Sequence, residues 1–208
     1  QKLLDKYKFP TADEKLQMLV STIHLLSENG YEVIGMDHFA RKDDELAIAK
    51  QNKMLHRNFQ GYNTRKTTGQ VYAFGASGIS QLDGCFTQNL KQIDQYIEAV
   101  ETNHLAVERG YVLTKEEIMI RDTINEIMCN GYINFNEIAT KHHLTVEGFL
   151  RITRFDPTKI SDLLNDKLVE LTDIDLKVTP AGMLIVRNVA VAFDPEFSAG
   201  SGKFSTTI

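Results

Sequence analysis

The sequence predicts an α/β fold followed by a mostly α region. Three observations carry this. Segments of helical and strand phase alternate over the first 112 residues, the alternation stops at a helix-start signature at Thr114, and a hairpin pattern returns only near 169–179.

The elements follow in order. Lys2-Leu-Leu-Asp-Lys-Tyr7 already has a helix-like phase at the start of the chain, which opens on Gln1, and this suggests a piece of something longer. Thr11-Ala-Asp-Glu14 is a capping box, and Leu16, Leu19, Val20, Ile23 and Leu26 recur at helical spacing until Asn29-Gly30 stops them. The run 31–36 reads as a short apolar strand. A second helix is expected from Asp43, its cap, to about Leu55. A polar loop over 55–69 then leads to a strand at 71–74 and the small-residue run 75–80. A third helix spans about 89–102. Strands separated by helices at this spacing imply parallel pairing, with sites at the carboxyl ends of the strands.

Thr114-Lys-Glu-Glu117 is a second capping box. It opens a helix through Ile118, Ile120, Ile124 and Ile127 to Asn130-Gly131. Residues 136–141 and 157–167 read as further helices, 169–179 as a hairpin turning near 173–175, and 181–192 as a last helix after Pro180. Ser198 to Gly202 reads as a flexible tail. Helices plus a hairpin give a winged-helix-like outline. The expected division is therefore 1–112 and 113–208.

A net charge of −5 gives no general attraction to phosphate backbones or anionic lipid, and no sizeable basic patch offsets it, so neither nucleic acid nor membrane is an expected partner. The helix expected near 158–167 carries Lys159 and Lys167 but also Asp162 and Asp166, so a nucleic-acid-binding regulator is the weaker alternative. Cys85 and Cys129 are the only cysteines and lie outside any C-x-x-C spacing, which argues against a disulfide scaffold or a self-contained metal site and suits a reducing cytoplasm. There is no apolar run of membrane-spanning length and no leader pattern.

The first strand leads into Asp37, His38, Arg41, Asp43, Asp44 and Glu45. At a strand's carboxyl end, Asp37 and His38 can meet a ligand, and Arg41 and Arg57 are candidate partners for carboxylates. The competing reading is a plain strand-to-helix connection, with Arg41 paired to a neighbouring acid. His38 and His56 suit acid–base work or loop hydrogen bonding, and His142-His143 reads as surface. No catalytic residue and no metal ligand is assigned.

Four collinear stretches, "GMDHFARKDDELAIA", "LHRNFQGY", "GASGIS" and "RNVAVAFD", together resemble the C-terminal half of the oxygen-independent coproporphyrinogen III oxidase family. The resemblance extends from about Pro10 to Ile208. Asp37-His38 and the full "LHRNFQGY" are similar to the oxidases rather than to their haem-binding, chaperone-like paralogues, the other alternative. Lys42 stands where the family usually has proline, and "GYNTRKTTG" makes a longer loop. The resemblance implies the C-terminal part of a radical S-adenosylmethionine (β/α) barrel in 1–112 and a helical, winged-helix-like domain in 113–208. It also implies a four-iron four-sulfur (4Fe-4S) cluster held by a C-x-x-x-C-x-x-C loop absent from this chain, and external electron donors and acceptors. The implied reaction is oxidative decarboxylation of two propionates of coproporphyrinogen III to vinyls. Gln60 and Ile79 match the family's contacts to a second S-adenosylmethionine. Without the cluster motif, the chain by itself is expected to be inactive, with strands that have lost barrel neighbours leaving an exposed apolar flank.

Overall fold

The computed structural model describes residues 9–58, 60–65 and 70–197. The expected helical phase at Lys2–Tyr7 and the tail at Ser198–Gly202 lie outside these. α1 (Ala12–Glu28) starts on the expected capping box at Thr11 and Glu14. β1 (Tyr31–Gly35) follows, but the chain then turns at once into β2 (His38–Arg41), pairing Val33 with Phe39 and Gly35 with His38 antiparallel. The expected strand-to-helix mouth is thus a hairpin. Its turn is made by Met36 in a left-handed conformation (φ 50°), a geometry no glycine or asparagine announces here.

α2 (Glu45–Gln51) is capped by Asp44, whose side chain accepts from the Leu46 amide; Asp43 instead binds Arg41. The expected polar loop is a second hairpin, β3 (Leu55–Arg57) and β4 (Tyr62–Thr64). The expected strand at 71–74 contributes only a single bridge from Val71 to Gln81. The pairing falls to β5 (Ile79–Gln81), β6 (Cys85–Asn89) and β7 (Val107–Val112), which form a three-stranded sheet flanking α3 (Ile93–Glu101). Every pairing among the described residues is antiparallel, so the parallel expectation is corrected. At β1–β2, β3–β4 and β5–β6 the physical reason is connection length, since the chain returns through short turns where parallel pairing needs a long crossover, whereas β6 and β7 pair antiparallel although α3 lies between them.

α4 (Lys115–Asn130) starts on its expected capping box and ends on Gly131 in the left-handed region. β8 (Tyr132–Asn134), β9 (Val169–Leu171) and β10 (Asp175–Val178) make a sheet of order β8-β10-β9. The hairpin was legible, its third strand was not. α5 (Phe135–Lys141) falls as expected, α6 (Val146–Thr153) was missed, and the expected helix 157–167 is a 3-10 turn over Pro157–Ile160 followed by α7 (Ser161–Asn165). The last expected helix is broken into 3-10 turns on either side of α8 (Val186–Ala190).

Two cores result. One gathers Met119, Ile127, Phe135, Phe149, Leu176, Val189 and Phe193, with Phe155 stacked on Phe193 at 4.3 Å. The other gathers Ile34, Ala40, Ala47, Ala49, Leu55 and Tyr62, and α4 closes it with Cys129. In return, Met36 from the β1–β2 turn packs on the first core. An apolar flank was expected where strands such as Val33-Ile34 and Val71-Tyr72 lack neighbours. Ile34 is instead fully buried by the second hairpin and α4, while Tyr72, Phe74, Ile93, Leu105, Tyr111 and Val112 are exposed, as is every residue of β7, and α1 buries none of its stripe.

Tyr62 fixes how the two hairpins meet. Its hydroxyl donates to the Met128 carbonyl at 3.4 Å, and it occupies the space a Cβ on Gly35 would need. Gly35→Ala should therefore cost about 2 kcal/mol through overpacking. Tyr62→Phe alone should cost about 1 kcal/mol for the lost hydrogen bond. The double variant should lose less than the sum of the two, because the phenylalanine relieves part of the collision. Denaturant melts of the three variants measure this coupling.

Candidate functional site

The tips of the two hairpins converge. In the β3–β4 turn, the Asn58 side chain accepts from the backbone amides of Gln60 (2.8 Å) and Gly61 (3.2 Å), and the Asn58 amide donates to the Gly61 carbonyl at 3.0 Å. This Asx turn holds Gln60 outward. The Gln60 side chain is exposed and its amide makes no hydrogen bond among the described residues. Gly61 has φ 154°, and a Cβ there would lie 3.2 Å from His38 Nε2. So each hairpin carries a glycine that admits a ring from the other, Gly35 for Tyr62 and Gly61 for His38.

His38 packs edge-on against Tyr62, with centroids 5.2 Å apart, and its Nδ1 lies 2.9 Å from Asp37 Oδ1. The Arg57 guanidinium lies over the same ring at 5.8 Å. Arg41 is drawn away to Asp43 (3.1 Å), which settles the competing local pairing in its favour. Burial is the main cause that raises the Tyr62 hydroxyl to about 12, so it stays protonated and keeps its donor role at neutral pH.

Ile79 is half-buried at the head of β5, paired with Gln88. The small-residue run before it turns through Gly75 (φ 94°) and Ser77 (φ 61°). The Asn89 side chain clamps it by donating to the Gly75 carbonyl at 2.9 Å, and Tyr96 accepts from the Gly75 amide at 2.9 Å. Gln60 and Ile79 thus stand on separate sheets.

Alternation along β3 turns His56 to the face away from Tyr62, so it does not join His38 and Arg57. That face meets a polar seam on α4, which residue spacing did not reveal. Arg65 pairs with Glu126 and donates to the Leu55 carbonyl at 3.1 Å, and Asn130 donates to Glu126 at 2.6 Å. Asp122 receives Lys141 at 2.7 Å and Arg121 at 3.2 Å, and His142 Nε2 sits 3.3 Å from it. His142 is therefore tucked into the seam rather than lying on the surface, and only His143 is exposed. Burial works to raise the Asp122 carboxyl, but Lys141 and Arg121 outweigh it and hold it below the ordinary carboxylate range.

A four-iron four-sulfur cluster does not fit these residues. Cys129 is buried in the apolar core with its thiol pushed up to about 12, chiefly by burial, and Cys85 stands apart on β6. Among the described residues no group of three or more His, Cys, Asp or Glu is placed to hold a metal. S-adenosylmethionine is different in kind. An uncommitted outward amide at Gln60 and an apolar Ile79 beside a glycine-rich turn suit a ligand with polar ends and a flat base.

No family model matches the chain. Among curated proteins it is 36% identical over 194 residues to the oxygen-independent coproporphyrinogen III oxidase of Escherichia coli, covering 93% of this chain and 42% of that protein. It is 33% identical to the oxidase of Helicobacter pylori strain 26695 over 99% of the chain and 44% of that protein, and 35% identical to that of Thermostichus vulcanus over 100% of the chain and 63% of that protein. The solved structure of coproporphyrinogen III oxidase from Escherichia coli, described as a radical SAM enzyme, superposes with a TM-score of 0.81 at 37% identity. It covers 90% of this chain and 42% of that one. The chain thus spans less than half the length of the Escherichia coli enzyme, and the resemblance read from its motifs is borne out.

The seam gives a pH dependence of stability. Burial is the largest cause that lowers both His56 and His142 below the usual histidine range; the cations Arg65 and Arg121 add to it at His56, and Lys141 and Arg121 at His142. Both folded values lie below the unfolded ones. The unfolded chain therefore binds protons first on acidification, and the stabilisation, complete above about pH 6.5, is lost as pH falls through the folded values. Thermal midpoints should drop between pH 7 and pH 5. His56→Asn with His142→Asn should flatten the drop.

Proposed function

We propose that this chain is the C-terminal portion of an oxygen-independent coproporphyrinogen III oxidase. The complete protein would convert two propionates of coproporphyrinogen III to vinyls by oxidative decarboxylation, giving protoporphyrinogen IX. The observation that carries this reading is the match over 93% of the chain at 36% identity, in which Asp37-His38 and "LHRNFQGY" fall on the two hairpin tips that converge at Tyr62. A radical enzyme of this kind needs a pocket that positions a flat, multiply charged ligand, and glycines that let rings and backbone close on each other build such a surface.

When bound, S-adenosylmethionine and a four-iron four-sulfur cluster supply the hydrogen-abstracting chemistry, with electrons from an external donor and to an external acceptor. In this reading the cluster cysteines belong to a preceding part of the protein, since Cys85 and Cys129 do not serve. Gln60 offers its amide to the polar end or ribose of S-adenosylmethionine, and Ile79 packs on it. Residues 1–112 then form the end of the catalytic barrel. Residues 113–208 form a winged-helix-like domain, a reading supported by the β8-β10-β9 sheet beside α4, α5 and α6. No helix among the described residues is long and apolar enough to cross a membrane. The assignment is to a cytoplasmic enzyme without nucleic acid or membrane partners.

The test is anaerobic turnover of coproporphyrinogen III by the full-length protein carrying Gln60→Ala or Ile79→Ala. Each should lose transition-state stabilisation of about 1 to 3 kcal/mol while iron content and thermal midpoint hold. The 208-residue chain, reconstituted alone, should bind no stoichiometric cluster iron and show no turnover. Unchanged turnover in both variants would make Gln60 and Ile79 structural.

A further inference from the structure

The arginines around the two hairpins differ in one respect. Arg41 is paired with Asp43, Arg65 with Glu126 and Arg121 with Asp122, while Arg109 donates to Gln88. The Arg57 side chain makes no hydrogen bond or ion pair among the described residues. It is half-buried, its Nε is buried without a partner among the described residues, and its guanidinium lies over the Tyr62 ring at 5.8 Å. A guanidinium withdrawn from water with an unpaired N–H is costly, and such groups are nearly always met by an anion or another acceptor.

Its surroundings point to what meets it. His38 stands against the same ring, and because Asp37 occupies Nδ1, the nitrogen left for a ligand is Nε2, which lies beside Gly61. The neighbouring residue is Gln60, with its amide uncommitted. The Asp37 carboxylate is taken up by His38 and forms no ion pair with Arg57 among the described residues. A planar fork, an imidazole edge and an amide gathered at two hairpin tips match the two oxygens of a carboxylate.

From this we infer that Arg57 and His38 form a carboxylate-binding subsite, Arg57 as a bidentate donor and His38 as a second donor through Nε2. Asp37 is the positioning residue that fixes the imidazole. The subsite rests on the oxidase reading for the identity of its ligand. The carboxylate then comes either from a propionate of the tetrapyrrole or from the methionyl end of S-adenosylmethionine.

The experiment uses the full-length protein, anaerobically, as wild type, Arg57→Gln and Arg57→Lys. Fluorescence titration reads the binding of coproporphyrin III, a stable tetracarboxylate, and of its tetraamide. Equilibrium dialysis reads S-adenosylmethionine and its decarboxylated form, and circular dichroism reads the fold. Arg57→Gln should weaken one of the two acids about tenfold or more, leaving its carboxylate-free counterpart unchanged. Arg57→Lys, which keeps the charge and loses the fork, should fall between and carries the test should the Gln variant not fold. A loss confined to coproporphyrin III identifies a propionate as the ligand group, and one confined to S-adenosylmethionine identifies the methionyl carboxylate. Unchanged affinity for both acids in a folded variant overturns the subsite. Equal losses for an acid and its carboxylate-free counterpart overturn it too, since they mark a structural role. Wild-type protein that binds neither porphyrin nor S-adenosylmethionine overturns the oxidase reading itself, and the subsite with it.

Discussion

The placement of the Tyr62 ring is the constraint on which the rest of the site depends. It is buried in one core, donates across to a carbonyl of α4, fills the room left by Gly35, and offers its edge and face to His38 and Arg57. An aromatic ring tied down by its hydroxyl has little freedom to tilt, so groups that rest on it inherit its position. Two short hairpins of β1 to β4 would otherwise be marginal structures with loose tips. Packed against one ring, the tips are joined at His38 and Arg57, with Asp37 and Gln60 beside them.

The polar seam does a different job. Arg65–Glu126 and the Asp122 cluster are partly withdrawn from water, and each charge there is met by an opposite one. Pairs of this kind add little net stability, because desolvation offsets the attraction, but a slipped register would strand a half-buried charge, which is costly. The seam therefore holds β3 and β4 to one position along α4. Directly behind it, the opposite face of the same hairpin presents Arg57. The paired Arg65 just after β4 and Arg57 on β3, which has no ion partner among the described residues, thus stand on opposite faces of one hairpin.

The helix boundaries that were legible are those whose signals are local. Capping boxes at Thr11 and Thr114 fix helix starts within one residue, and Gly131 ends α4 in the conformation glycine favours. The first half was less legible because its strands are short and its turns carry unusual residues. Nothing in Met36 announces a left-handed turn, so β2 was absorbed into a connection and antiparallel pairing was read as parallel. β3 and β4 are three residues each, too short for alternation to register, so the segment was read as a polar loop. The site was legible as a list of residues through resemblance. That Arg41 is neutralised locally, that His56 faces away from Tyr62 and that Arg57 has no ion partner among the described residues are facts of three-dimensional pairing, which spacing does not encode.

The exchange of side chains between the two cores, Met36 going one way and Cys129 the other, bears on how such a protein can be recombined. A graft that joined residues 1–112 to a foreign C-terminal domain would leave Leu55, Ile34 and Tyr62 facing a surface without Cys129 and without the carbonyl that receives the Tyr62 hydroxyl. The displaced turn would in turn expose Met36. Modules linked by a flexible tether can be swapped freely in evolution or in the laboratory. Here the transferable unit has to include α4, so the part of the protein that carries the hairpin tips and the part that carries α4 and the β8-β10-β9 sheet can change only in concert.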